Sequence, residues 1–138
     1  MEYKSETGAK VVINPADWKD AVNLKSAIAK ELSKSDVKIE LDDLTNASDI
    51  SEFIKLFLVL DSSEVVYDNI FKCLARCTYH GEKITEDTFE DIKAREDYYE
   101  ITFHCIKENL NPFFKGLRSR LSQLMLLVVP KSKDESPK

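Results

Sequence analysis

Only three glycines, at positions 8, 81 and 116, occur among the 138 residues of the chain. A sandwich or barrel of many short strands needs more of the turn chemistry that glycine supplies, so helices are expected to dominate. Long apolar runs are missing too. The longest, Phe53–Leu60 and Leu124–Val129, fall far short of the ~20 residues that cross a bilayer, so no membrane is expected as a partner. Met1-Glu-Tyr-Lys4 has neither the basic nor the apolar region of a signal peptide. Three cysteines cannot all pair within one chain, which makes a reducing compartment, the cytoplasm, the default expectation. A net charge of −5 argues against general binding to a nucleic-acid backbone, whose affinity comes from clustered Lys and Arg releasing counterions. The chain contains no glycine-rich phosphate loop, no H-E-x-x-H and no G-x-S-x-G. Neither an enzyme nor a cofactor is expected.

What is present is a domain's worth of apolar mass, 43% of residues, with 33% charged. That is enough to bury one core, and one folded unit over residues 1–130 is expected. Lys10–Ile13 is a short β-branched run that stops at Asn14-Pro15, a cap followed by proline, so a helix is expected to start there. Trp18, Ala21, Leu24, Ile28 and Leu32 then recur at helical spacing. Residues 37–41 alternate apolar and charged, as a half-buried strand does, and are expected to pair with 10–13. Ser48-Asp49, Asp61-Ser-Ser63 and Thr85 read as helix caps. The helix after Asp49 is expected to be buried on most sides, and the next, carrying Val66, Ile70, Leu74 and Cys77, to end at His80-Gly81. A helix over about 94–110 should bury Tyr98, Ile101, Thr102, Cys105 and Ile106. Asn111-Pro112 repeats the cap-plus-proline device and should start a last helix, ended by Pro130, with Phe113, Leu117, Leu121, Leu124 and Val128 on one face. Residues 131–138 lack apolar anchors and are expected to be a disordered polar tail. The predicted fold is mainly α: a compact bundle of about five to six helices with a small N-terminal two-strand β element.

The sharpest candidate for chemistry is Cys73, Cys77 and His80, at i, i+4 and i+7 on one predicted helical face, with His104 and Cys105 on another helix. Zinc accepts thiolate and imidazole, but its structural sites favour a C-x₂₋₄-C knuckle in a turn rather than a helix interior. Adjacent His104 and Cys105 also point about 100° apart on a helix. Buried cysteine behaves as a small hydrophobe, so core packing is the preferred reading and no metal site is assigned. A Cys–His nucleophile needs a thiolate-stabilising setting that mid-helix positions lack. The acid pairs Glu86-Asp87, Glu90-Asp91 and Glu96-Asp97 lie near predicted helix starts, where the dipole favours carboxylates without any catalytic role. Two apolar features exceed what a minimal core requires: the 53–60 segment and Leu121–Val129, which is apolar on more than one face. Phe53, Phe57, Phe113, Phe114, Leu124 and Leu127 are therefore taken as core or partner-binding residues.

The stretches Ala94-Arg-Glu-Asp-Tyr-Tyr-Glu-Ile101 and Glu108-Asn-Leu-Asn-Pro-Phe-Phe-Lys-Gly-Leu117 resemble the C-terminal signature of tail assembly chaperones of long-tailed bacteriophages and prophages. Val12-Ile-Asn-Pro-Ala16, Ala21-Val-Asn-Leu-Lys25 and Phe89-Glu-Asp91 are similar to other parts of that family's pattern. The positions that match are Arg95, Asp97, Tyr98, Tyr99, Asn109, Pro112, Phe113 and Phe114. The resemblance implies a non-enzymatic helical protein that binds the hydrophobic tape measure protein, keeps it soluble and recruits tail tube subunits. It further implies a protein of the host cytoplasm that is absent from the mature virion. Repeated copies along a long client would favour head-to-tail self-association into open or spiral oligomers. Another phage assembly or adaptor protein, such as a tail completion or connector component, is the alternative, followed by a small zinc-binding protein.

Overall fold

The computed structural model describes residues 1–35, 41–47 and 49–135, with the side chains of 41–42, 117–119 and 121–135 left aside. The chain opens with a β-hairpin, β1 (Glu2–Lys4) and β2 (Lys10–Val12), paired antiparallel with Tyr3 opposite Val11. Gly8 closes its loop at φ +96°, a conformation L side chains rarely adopt. Helix α1 (Trp18–Lys34) follows, then α2 (Leu41–Thr45), α3 (Ile50–Phe57) and α4 (Glu64–Cys73), the last running into a 3₁₀ turn over Leu74–Arg76. The chain then returns to the sheet as β3 (Thr78–Tyr79) and β4 (Glu82–Lys83), giving an antiparallel order β1-β2-β3-β4. A 3₁₀ turn (Glu86–Glu90), α5 (Ile92–Glu96) and α6 (Tyr98–Glu135) complete the chain. The fold is mainly helical with a small antiparallel sheet built on the N-terminal hairpin.

The three predicted caps form as the chemistry requires. Asp49 accepts from the Glu52 amide at 2.9 Å, Ser63 from that of Val66 at 3.2 Å, and Thr85 exchanges bonds with residues of its own first turn. The helical stripes also pack as their spacing dictates. Ala21, Leu24, Ile28 and Leu32 of α1 are buried along α4, which contributes Val66, Ile70 and Cys73. Ile101, Thr102, Cys105 and Ile106 of α6 are buried too, and Tyr98 is half-buried. Phe53 and Phe57 stack at 5.2 Å, and Phe103 meets the Phe53 edge at 5.2 Å. Each of these phenylalanines is almost wholly withdrawn from water, a burial worth roughly 2–3 kcal/mol.

Several expectations are corrected. Residues 10–13 do not pair with 37–41: β2 has β1 on one side and β3 on the other, so both its edges are taken. Residues 37–40 lie outside the described part, and Leu41 begins α2. Asn14 does not cap α1. Its amide donates to the Arg76 carbonyl at 2.8 Å, residues 13–17 run without regular structure, and the helix starts after Asp17. Trp18, placed by spacing on the buried stripe, is 74% exposed. The α3 segment is amphipathic rather than buried on most sides, with Leu58 at its end 55% exposed.

His80-Gly81 is not a helix end but the two-residue turn of the β3–β4 hairpin, with φ +55° and +83°. Hairpin turns favour this pair of left-handed conformations because they match the twist of the strands. The helix expected over 94–110 is broken at Asp97, which ends α5 and caps the next helix: the Ile101 amide donates to the Asp97 carbonyl at 3.0 Å. Neither Pro112 nor Pro130 breaks α6, which runs 38 residues, about 57 Å at helical rise. Residues 131–135, expected in a disordered tail, lie within α6.

Candidate functional site

The motif residues turn out to be ties between distant parts of the chain. Asp97 is fully buried, and its carboxylate accepts from Ser5 Oγ at 2.8 Å, Thr7 Oγ1 at 2.5 Å, the Thr7 amide at 3.3 Å and Tyr79 Oη at 2.7 Å. One side chain thus joins the hairpin loop, β3 and the start of α6. Burial alone would raise its pKa; hydrogen bonds from Thr7, Tyr79 and Ser5 outweigh that and hold the carboxyl below its ordinary range. The same arrangement, with burial as the larger cause, pushes the Tyr79 phenol up to about 12.

Asn109 is the second tie. Buried on α6, it donates to the Cys105 carbonyl at 2.8 Å and accepts the Ala16 amide at 2.7 Å, fixing the segment that leads into α1. Tyr99 donates to Asp61 Oδ2 at 2.9 Å, tying α6 to the α3–α4 connection. Tyr98 packs edge-on against Phe89 at 5.2 Å, and burial pushes its phenol up to about 12. Arg95 is more exposed, bonding the Phe89 carbonyl at 2.7 Å and lying 3.6 Å from Glu90.

Pro112 and Phe113 belong to a different kind of feature. With Pro15, Ala16, Trp18 and Ala21 they line an apolar groove of about 340 Å³ where the N-terminus of α1 meets the middle of α6. The Trp18 and Phe113 rings lie 5.4 Å apart, and Lys25 Nζ sits 5.2 Å from the Phe113 centroid. Phe113 and Phe114 are half-buried against the core, whereas Phe53 and Phe57 are core residues outright. Leu124 and Leu127 are among the residues whose side chains lie outside the description. Other large apolar side chains stand out of the body: Ile92 is 63% exposed and Val65 58%.

The supposed Cys73–Cys77–His80 face does not exist as a helical face. The helix ends at Cys73, Cys77 follows a 3₁₀ turn, and exposed His80 occupies the hairpin turn. All three cysteines are fully buried free thiols, and burial pushes Cys77 up, away from thiolate. His104 is half-buried on α6. Its ring packs on Tyr3 at 4.2 Å and Phe103 at 5.0 Å, and burial together with Lys107 lowers its pKa. Among the described residues no group of three His, Cys, Asp or Glu is placed to hold a metal ion. No described helix is long and apolar enough to cross a membrane. Sequence reading missed Ser5, Thr7 and Tyr79 as partners of Asp97, and Trp18 as a surface residue. The only signal was indirect, since an aspartate in an otherwise packed motif needs donors from elsewhere in the chain.

Buried ties hold a helical body together, and large apolar side chains stand outside them, an arrangement compatible with a small assembly protein. Comparison with known proteins agrees: the family model of the phage tail assembly chaperone protein, TAC, matches residues 8–122. The chain belongs to this family. Its role therefore lies in phage tail assembly, and membership implies a non-enzymatic one. No curated protein and no solved structure shows a match.

Proposed function

We infer that the chain binds the tape measure protein in the cytoplasm of the bacterial host, keeps that client soluble and recruits tail tube subunits to it, leaving before the virion is complete. Family membership supports the setting. The observation that carries the client-binding step is the set of large apolar side chains outside the core: Leu58, Val65 and Ile92, on α3, α4 and α5 or their ends, are each more than half exposed. A holding chaperone needs such surface, because an amphipathic client helix is bound by covering its apolar stripe. A coat of many copies along one client also needs contacts between copies, and open head-to-tail association supplies them.

Co-expression with the tape measure protein of the same phage tests this reading. The client's soluble fraction should rise several-fold with this chain, and Leu58→Glu or Ile92→Glu should reduce that gain without lowering the chaperone's own melting temperature. A client that stays equally insoluble with and without the chain would sink the proposal.

A further inference from the structure

Helix α6 is weakest where it leaves the body. Pro112 removes the amide that would bond the Glu108 carbonyl, and Gly116, one turn further on, adds the conformational freedom of glycine. The other two glycines of the chain sit in hairpin loops, where a positive φ requires them. Lys115, Gly116 and Arg120, the described residues just beyond Phe114, are exposed, so packing does not offset the weakness. The sequence here is also that of a helix end. A cation in the last turn, glycine just past it and an apolar residue next make a left-handed C-cap, and Lys115-Gly116-Leu117 has that order. Ser119 then suits the N-cap of a new helix. A connection of four residues, 116–119, is of the length that joins two antiparallel helices.

A chain that turns back at Gly116 meets the apolar groove at once, because Pro112 and Phe113, in the turn before the glycine, line it. Pro15, Ala16 and Ala21 line it too, and such short side chains let a helix approach closely. Pro15 and Pro112 have no N–H and that of Ala16 bonds Asn109, so an incoming strand finds no ladder to extend. The groove suits a helix that offers an apolar stripe. Segment 117–129 is apolar at eight of its thirteen positions, with Leu121, Leu124 and Val128 at helical spacing and no acid. The charges are complementary as well: residues 117–138 carry five Lys or Arg against two acids, whereas residues 1–116 carry fifteen against twenty-three. The length fits, since a helix from Arg120 to Val129 spans about 15 Å, enough to run back past Phe113 to Asn109 and Glu108. A segment tethered by so short a connection has a local concentration of about millimolar, which favours it over any untethered copy at micromolar chain concentration.

We propose that the terminal part of α6 is a hinged strap: the chain turns at Gly116 and lays segment 120–129, as a separate helix, over the groove lined by Pro15, Ala16, Trp18, Ala21, Pro112 and Phe113 of the same molecule. The continuous helix is the open form. Closing the strap withdraws both the apolar segment and the groove from water in the free chain, and opening it exposes both together. The strap is a property of the single chain and does not rest on client binding.

Trp18 is the sole tryptophan and is 74% exposed in the open form, so its fluorescence reads the strap directly. Gly116→Ala is the test variant. A Cβ at 116 meets nothing within 4 Å in the straight helix, so the open form accepts it. Alanine favours helix over glycine and is penalised in the left-handed turn, which together should shift the balance toward the open form about thirtyfold. In the full chain, without client, wild-type Trp18 should emit to the blue of Gly116→Ala and be quenched several-fold less by acrylamide, equally so from about 2 to 100 µM. Small-angle scattering should give wild type a radius of gyration near the ~14 Å of a compact chain of this length. The Gly116→Ala value should be a few ångströms larger, because α6 then runs straight for about 30 Å past Phe114. Leu124→Glu leaves the turn intact but spoils the apolar stripe, and should expose Trp18 in the same way; circular dichroism checks that both variants remain folded. Wild type and Gly116→Ala alike in quenching and in radius would overturn the proposal. So would Trp18 shielding that grows with concentration, which would give the groove to a second copy, or a Leu124→Glu chain as shielded as wild type.

Discussion

Replacing Asp97 by asparagine tests whether one buried carboxylate closes the N-terminal hairpin onto the helices. The side chain is inaccessible to solvent and accepts four hydrogen bonds, three of them from hydroxyls. Bonds to a charged acceptor contribute about 1.5–3 kcal/mol each against 0.5–1.5 for neutral ones. Asparagine keeps the shape and one acceptor oxygen but turns an NH₂ toward groups that also donate. The net loss should be about 3 kcal/mol, or roughly 10 °C in melting temperature for a domain of this size. The pH dependence is more discriminating than the loss itself. The folded pKa lies below its ordinary value, so the stabilisation is fully present above the unfolded value near ~3.9 and is lost as pH falls through the folded one. Urea denaturation from pH 7 down to about 2.5 should therefore show a wild-type advantage that is widest at neutral pH and closes below about pH 4. A gap under about 0.5 kcal/mol at pH 7, or one unchanged at the acid end, would refute the tie.

Asn109→Leu should cost about 2 kcal/mol in denaturant melts, since it strands the Ala16 amide, and should speed hydrogen exchange at Ala16. His80→Asn or His80→Gly should raise stability by roughly 0.5–1 kcal/mol, because His80 holds φ +55° in the hairpin turn; a lower melting temperature would mean that its packing on Tyr79 outweighs the backbone strain. His104 should titrate by NMR below the ordinary imidazole value of ~6.5. The unfolded chain then binds the extra proton first, so stability should fall as pH drops below that value, and His104→Phe should remove this part of the acid sensitivity. Cys73, Cys77 and Cys105 should resist a thiol reagent in the native protein and all react in denaturant, because each is fully buried.

What could be read from the sequence was what local chemistry controls. The buried positions Ala21, Leu24, Ile28 and Leu32 of α1, Val66 and Ile70 of α4, and Ile101, Cys105 and Ile106 of α6, and the caps at Asp49, Ser63 and Thr85, depend on residues within a turn or two and form where spacing placed them; Leu74 and Cys77, expected on the same helix as Val66, are buried beyond its end. What could not be read was long-range. Strands of two or three residues carry almost no periodic signal, and β3 reaches β2 only after the chain has passed through four helices. Pro112 misled because a helix-breaking residue was read as a helix start. On the exposed face of α6 it removes one hydrogen bond, from the Glu108 carbonyl, and tertiary packing on both sides carries the helix through. Trp18 misled for the opposite reason. Its spacing fits the buried stripe, but α1 projects it beyond the last packed turn.

The residues that identify the family and the residues that would do its work are therefore different sets. Asp97, Tyr99 and Asn109 spend their polar atoms on Ser5, Thr7, Tyr79, Asp61 and Ala16, within one chain, and have little left to offer a partner. Trp18, Leu58, Val65 and Ile92 are largely uncommitted inside the body and leave its stability nearly untouched when changed. Partner surfaces built from exposed single side chains can be tuned to each client, while the buried ties keep the scaffold presenting them in one geometry. Pro112 and Phe113 are the exception, since they stand in the motif and line the groove at once.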